Sequence, residues 1–202
     1  MTEWKLPAAC LFDGRTVRYG VSGDGPSIVA VHGTPWSSFN LRHIIDPVAV
    51  APWGSSFFRH VHAHEASFAG VPDYIHEDIV RAYVKTAAFK PIDDATLDAI
   101  VLPWTGSDGR AAFYRQIAQA NSGYTDAVQP LYARISRLFL ILWGREDTWI
   151  PLERGEALRD MIPGSSLHVI PDAGHLVIEE QPDQLINKIH PFIQNEDIPS
   201  QA

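Results

Sequence analysis

One cysteine, Cys10, stands among 202 residues, and a lone thiol makes no internal disulfide. Beside Ala8, Ala9, Leu11 and Phe12 it reads as a small buried hydrophobe. No stretch approaches the roughly 20 apolar residues that span a bilayer, and the opening MTEWKLPAACLFDG has no apolar run behind a basic stretch, so neither a membrane span nor a secretory signal is expected. No cluster of Lys or Arg offsets the formal charge of −8, which argues against nucleic acid or an anionic membrane as partner, since both need a basic face. There is no internal repeat and no low-complexity tract. What is present is 46% hydrophobic residues in a chain the size of one domain, or of a core with a modest insertion. The expectation is a globular, cytoplasmic protein handling small molecules.

Near the start, the apolar runs AACLF, TVRYGV and SIVAVHG are separated by the turn formers Asp13-Gly14 and Gly23-Asp24-Gly25-Pro26, a pattern that predicts a hairpin feeding a buried strand. Ile28 to Val31 is continuous rather than alternating, as in a strand covered on both faces of a mainly parallel sheet. The stretch Ser37 to Val50 is short and mixed, and Pro47 and Pro52 interrupt any long helix through it. From Pro72 to about Tyr132 the pattern turns helical. Ile75, Ile79, Val80, Tyr83, Val84 and Ala87 recur at helical spacing, Leu97, Ile100 and Val101 follow the candidate caps Asp93-Asp94, and a third helix fits Asp108 to Ala120. Strand signals return at Leu138 to Trp143 and at Ser166 to Ile170, with a crossover helix from Pro151 to Met161 between them, which implies a parallel pair. Leu185, Ile186, Ile189, Phe192 and Ile193 mark a final amphipathic helix that Pro191 should kink or end near His190. The predicted organisation is an N-terminal core part over 1–51, a helical insert over 52–134 and a C-terminal core part over 135–202.

Three short segments could carry chemistry. His32-Gly33, followed by Thr34-Pro35-Trp36, places free backbone N–H groups at the carboxyl edge of a sheet, where ligands of open α/β folds bind and where such donors can hold a developing oxyanion. A plain glycine turn leaving a strand is the alternative. Asp147, in WGREDTWIP, and His175, in PDAGHLV, lie in loops after adjacent parallel strands. Such loops open at one sheet edge, so an imidazole from one can meet a carboxylate from the other, the base-and-orienter pair of acyl-transfer enzymes. Taken singly, Asp147 could be a turn residue and His175 a surface histidine.

The words VHGTPWSSF at 31–39, LFLILWGREDTWIP at 138–151 and PDAGHLVIEEQPDQL at 171–185 resemble the α/β-hydrolase superfamily. The resemblance is to its capped branch of haloalkane dehalogenases, epoxide hydrolases and related esterases, and it covers most of residues 10–194. It implies an α/β fold with a mainly parallel sheet and a helical cap. It further implies Asp147 as triad acid and His175 as triad base, with Gly33, Thr34 and Trp36 in or beside an oxyanion and substrate-binding loop, and no cofactor.

The third triad member has no counterpart. Hydrolases of this type carry Ser, Asp or Cys on a strained strand-to-helix elbow of the form GxSxG or a variant. Gly20-Val21-Ser22-Gly23-Asp24 lacks the closing glycine and precedes the oxyanion loop, and Gly54-Ser55-Ser56 has neither an apolar strand nor a second glycine. Spacing agrees. Reaching the elbow takes two βαβ crossovers of roughly 30 residues each, yet only about a dozen residues separate Gly33 from Asp46. A block of two or three strand–helix units is therefore expected to be missing at about residues 43–46, leaving the sheet truncated in its centre. Asp46 is followed by Pro47 with no glycine for a tight elbow, and Ser37 and Ser38 stand too close to the oxyanion donors to attack a carbonyl held there.

His60, His62, His64 and Glu65 resemble the HxHxDH ligand set of metallo-hydrolases, but the third His falls one place early and the acid one place late, and on a helix His62 points away from the other two. A solvated segment, with no metal, is the expectation. Trp53, Phe57, Phe58, Trp104, Phe113 and Tyr114 read mostly as core, with two of them facing a pocket. The functional expectation is a hydrolase by ancestry, acting on a small ester, haloalkane or epoxide and weak or inactive for want of a nucleophile. Its alternative is a non-catalytic ligand-binding or poorly folded remnant. A truncated sheet with exposed edges would favour homo-oligomers.

Overall fold

The structure, a computed structural model, describes residues 8–12, 15–19, 56–120 and 126–194. Strands β1 (Ala8–Phe12) and β2 (Arg15–Tyr19) pair antiparallel, with Phe12 opposite Arg15 and Ala8 opposite Tyr19. The register leaves the two residues between them as the connection, the length that an Asp-Gly pair favours. Cys10 is exposed, and so is Leu11 at 76%, which corrects the buried reading of that run. Successive side chains of a strand point to opposite faces, and a two-stranded ribbon buries little by itself.

Four helices follow: α1 (Ser56–Ala69), α2 (Asp73–Ala87), α3 (Asp94–Val101) and α4 (Gly106–Ala118), with a 3-10 turn at Leu102–Trp104 before the last. The Asp93 carboxylate caps α3 by accepting the Thr96 N–H at 3.0 Å, and Leu97, Ile100 and Val101 turn inward as their spacing predicts. On α2 the buried face is His76, Val80, Val84 and Ala87. The apolar pattern had put Ile75 there, but Ile75 is 38% exposed and His76 only 1%. The imidazole can take that place because both nitrogens are satisfied: Nε2 donates to the Trp104 carbonyl at 2.8 Å, and Nδ1 accepts from the Tyr114 hydroxyl at 3.1 Å. Helix α1 lies within the predicted helical insert but is not marked out in the sequence as a separate helix, since only Phe58 and Val61 of its residues are buried, too few to give a periodic signal.

Phe113 lies at the centre of this helical cluster, fully buried, with its ring against His76, Tyr83, Trp104 and Tyr114 at centroid separations of 5.2–5.8 Å. Burying such a ring contributes about 1.5–3 kcal/mol, and each edge-to-face pair adds about 0.5–1.5 kcal/mol. Phe58, Trp104, Phe113 and Tyr114 are thus core residues and Phe57 packs partly buried against them, while Trp53 lies outside the described residues.

The C-terminal part contains the expected crossover. Strand β3 (Phe139–Gly144), helix α5 (Leu152–Met161) and strand β4 (Ser165–Ile170) follow in order, and the strands pair parallel, Phe139 opposite Ser165 and Gly144 opposite Ile170. Among the described residues each of the two sheets has two strands. A short helix α6 (Val177–Glu180) and α7 (Pro182–Gln194) close the chain, with Leu185 and Ile189 packed on Ile170, Ala173 and Leu142. Helix α7 runs on to Gln194 with Pro191 inside it, so of the two expected outcomes, a kink or an end near His190, the helix does not end there. Proline removes the N–H that would have met the Asn187 carbonyl, and Asn187 is exposed, so water can take that acceptor.

A candidate acid–base site at the open edge of the parallel pair

Two loops leave the carboxyl ends of β3 and β4, and parallel pairing brings them out on the same side. In the first, Oδ1 of Asp147 accepts the backbone N–H groups of Trp149 at 2.9 Å and Ile150 at 2.8 Å, a side-chain turn that an aspartate followed by free amides readily forms. That leaves Oδ2 pointing across to the second loop, where Nδ1 of His175 donates to it at 2.9 Å. The two side chains are 6% and 15% exposed. A ring that donates from Nδ1 to the carboxylate leaves Nε2 as the nitrogen that can accept a proton. No hydrogen bond to that nitrogen is made among the described residues.

The histidine loop is held from several directions. Glu146 exchanges two hydrogen bonds of 3.0 Å with Ala173, its amide donating to the Ala173 carbonyl and its carboxylate accepting the Ala173 N–H. Asp172 adopts a left-handed φ of 59°, and its carbonyl accepts from the Gln181 side chain at 3.1 Å. The His175 N–H donates to the Ala87 carbonyl at the end of α2, at 2.8 Å. Glycine is required where the backbones meet. A Cβ on Gly144 would overlap the Gly174 carbonyl oxygen, and one on Gly174 would stand 2.8 Å from the Phe89 nitrogen.

Above the pair, the Trp149 indole tilts at 35° over the His175 ring with centroids 5.1 Å apart, and its N–H donates to the Thr86 hydroxyl at 3.2 Å. Tyr83 also packs against Trp149, ring centroids 4.5 Å apart and tilted at 42°. The Tyr83 hydroxyl is buried and has no hydrogen-bond partner among the described residues, and burial pushes its pKa far above the ordinary phenol value.

Of the residues expected at the site, Asp147 and His175 meet, whereas Gly33, Thr34 and Trp36 lie outside the described residues, as do Ser37, Ser38, Asp46 and the partial elbow match at 20–24; of the match at 54–56 only Ser56 is described, exposed at the start of α1. The histidine string falls on α1, which is kinked at His64 (φ −139°, ψ 36°), and His62 donates from Nδ1 to the Ala118 carbonyl at 2.7 Å. Among the described residues no three His, Cys, Asp or Glu side chains are placed to share a metal ion. A shallow depression lined by Asp126, Gln129, Pro130, Ala133, Asp160 and Met161 lies where the chain enters β3 and β4, the edge opposite the pair. Sequence reasoning missed Trp149, Ala87 and Glu180. Only Trp149 left a signal, standing two residues after an aspartate whose side chain needed N–H partners.

Residues 27–188 match the model of the alpha/beta hydrolase family. A crystal structure of an alpha/beta hydrolase fold protein from Burkholderia ambifaria is similar with a TM-score of 0.84 and 31% identity, over 92% of this chain and 97% of that one. A thermophilic esterase from Thermogutta terrifontis shares the fold at a TM-score of 0.51 and 21% identity, over 74% of this chain and 53% of that one. Among curated proteins, the uncharacterized hydrolase YugF of Bacillus subtilis is 36% identical over 61 residues, 30% of this chain and 22% of its own length. A 2-hydroxy-6-oxononadienedioate/2-hydroxy-6-oxononatrienedioate hydrolase of Escherichia coli is 41% identical over 54 residues, 27% of this chain and 19% of its own. These matches span about a fifth of the curated relatives. The parallel crossover, the loops that open from it and the agreement over most of the chain place this protein in the alpha/beta hydrolase family.

Proposed function

We propose that His175 and Asp147 are the base and the orienting acid of a hydrolase site that works without the family's nucleophile elbow. Its substrates would be small esters, haloalkanes or epoxides, turned over slowly and with no cofactor in the cycle. The observation that carries this reading is the Asp147–His175 hydrogen bond, 2.9 Å long, made by a carboxylate already held by two backbone amides. In the proposed step Nε2 takes a proton from water, the water oxygen attacks the substrate's electrophilic carbon, and the imidazolium returns the proton to the leaving group. General-base help of this kind is worth about 10²–10⁴-fold, far below what a covalent route achieves. Backbone N–H groups at Gly33 and the side chains of Thr34 and Trp36 would bind the oxyanion and substrate, and residues 52–134 would form the cap.

Hydrolysis of p-nitrophenyl acetate and of short haloalkanes, measured with His175→Ala and Asp147→Asn as controls, tests the reading. The 2-hydroxy-6-oxononadienedioate named for the E. coli relatives belongs in the same panel. Activity lost in either variant supports it, and activity indifferent to both rejects it. No activity at all would favour the second reading, a non-catalytic binder of small hydrophobic ligands, which rests on the absence of any elbow sequence. A poorly folded remnant is disfavoured by the Burkholderia ambifaria crystal structure, which matches this chain over nearly its whole length.

A cytoplasmic setting and self-association belong to the proposal as well. No described helix is long and apolar enough to cross a membrane, and among the described residues each sheet has two strands, whose outer edges would offer pairing to another copy. A monomer in sedimentation would reject the self-association.

A further inference from the structure

Glu180, at the end of α6, takes no part in the chemistry above, yet its carboxylate gathers three backbone N–H groups. Oε1 accepts from Phe89 and from Lys90, each at 2.7 Å, and Oε2 accepts from Gly174 at 2.7 Å. Two of these donors belong to the chain leaving α2 and the third precedes His175. The same two segments also meet directly, through the His175 N–H on the Ala87 carbonyl at 2.8 Å. Gly174 lies so near that a Cβ there would stand 2.9 Å from that carbonyl. The helical cluster and the histidine loop therefore join along a main-chain seam that a single carboxylate bridges.

Hydrogen bonds to an ionised acceptor are short and roughly twice as strong as neutral ones, in keeping with these distances. A carboxylate suits the place because it presents acceptors on both oxygens. A glutamine would keep one acceptor and turn an NH₂ group toward an N–H on the other side. Loss of the acceptors would free the Gly174 amide, and with it the residue that carries the imidazole.

Resting on the reading of His175 as the base, we propose that Glu180 is a positioning residue that fixes where the His175 ring stands against Asp147, by tying its loop to the exit of α2. A purely structural role would lower stability without touching the imidazole. The Nδ1–H resonance of His175 in ¹⁵N-histidine-labelled full-length protein, assigned by its loss in His175→Ala, separates the two. Glu180→Ala should broaden or abolish that resonance and speed its exchange with water about tenfold or more. Glu180→Gln should do so in part, and Glu180→Asp should restore some of it. Asp98→Asn, which removes the exposed Arg81–Asp98 ion pair of the helical cluster, should leave the resonance in place.

With p-nitrophenyl acetate, Glu180→Ala should lower kcat by roughly tenfold to a hundredfold while KM changes little. An unchanged His175 resonance in both the Ala and Gln variants overturns the proposal, and the Gln variant decides alone if the Ala variant does not fold. Hydrolysis unaffected by His175→Ala would reject the base reading while leaving the resonance test to judge Glu180, so the two failures are distinguishable.

Discussion

Trp149 covers the imidazole of His175 with its indole, centroids 5.1 Å apart, while its own backbone N–H is held at 2.9 Å by Asp147, the carboxylate to which that imidazole donates. One residue thus covers the imidazole with its ring and holds the carboxylate with its backbone. Trp149→Ala should cost about 1–3 kcal/mol in urea unfolding, since a half-buried aromatic loses its contacts with His175 and Tyr83. Trp149→Phe, which keeps a ring but not the N–H to Thr86, should cost about 1 kcal/mol or less.

Asp147→Asn should leave the fold intact but move the proton on His175. The amide oxygen can still accept from Trp149 and Ile150, and its NH₂ group then faces Nδ1, which must become the acceptor and leave the hydrogen on Nε2. Nitrogen chemical shifts of the labelled ring would read the tautomer. The hydrolysis rate should drop to that of His175→Ala, and a rate well above it would mean that Asp147 does not set the base.

Tyr83→Phe should stabilise the protein. Its hydroxyl is buried with no partner among the described residues, so removing it relieves a desolvated polar group at a gain of about 1 kcal/mol. A higher melting temperature is the expected readout, and a lower one would reveal a partner for the hydroxyl.

The fourth prediction concerns pH. Burial, opposed by the hydrogen bond to the Trp104 carbonyl, holds the His76 pKa below its ordinary 6.5 in the folded protein. The unfolded chain takes up a proton near 6.5, so below that pH the unfolded state binds more protons and stability falls. The loss should begin as pH drops through about 6.5 and level off below the folded pKa. Urea midpoints taken from pH 8 downward would show this slope in the native protein, and His76→Gln should remove this residue's share of it.

Much of the frame was legible because its signals were local. The continuous apolar strands 138–143 and 166–170, with a helix-length segment between them, dictated a parallel crossover, and the crossover put Asp147 and His175 at one edge. Asp93 was readable as a cap because its side chain acts within three residues of itself. Contacts between distant segments were not readable. Nothing near Glu180 says that its partners are Phe89 and Lys90, and nothing near His175 points to Ala87. His76 was overlooked for a different reason: its burial depends on acceptor and donor groups from Trp104 and Tyr114 that the α2 sequence does not contain. Cys10 was misjudged from the character of its neighbours, where the solvent exposure of the strand decided the outcome. Gly33, Thr34 and Trp36 lie outside the described residues and keep the standing that the resemblance gave them.

Gly144 and Gly174 pass each other where neither tolerates a side chain. The gap between the Asp147 carboxylate and the His175 imidazole is therefore gauged by bare main chain, two crossing wires of constant thickness, and drift in the surrounding side chains has little leverage on it. Substitutions elsewhere in the two loops can therefore accumulate while Asp147 and His175 stay in register.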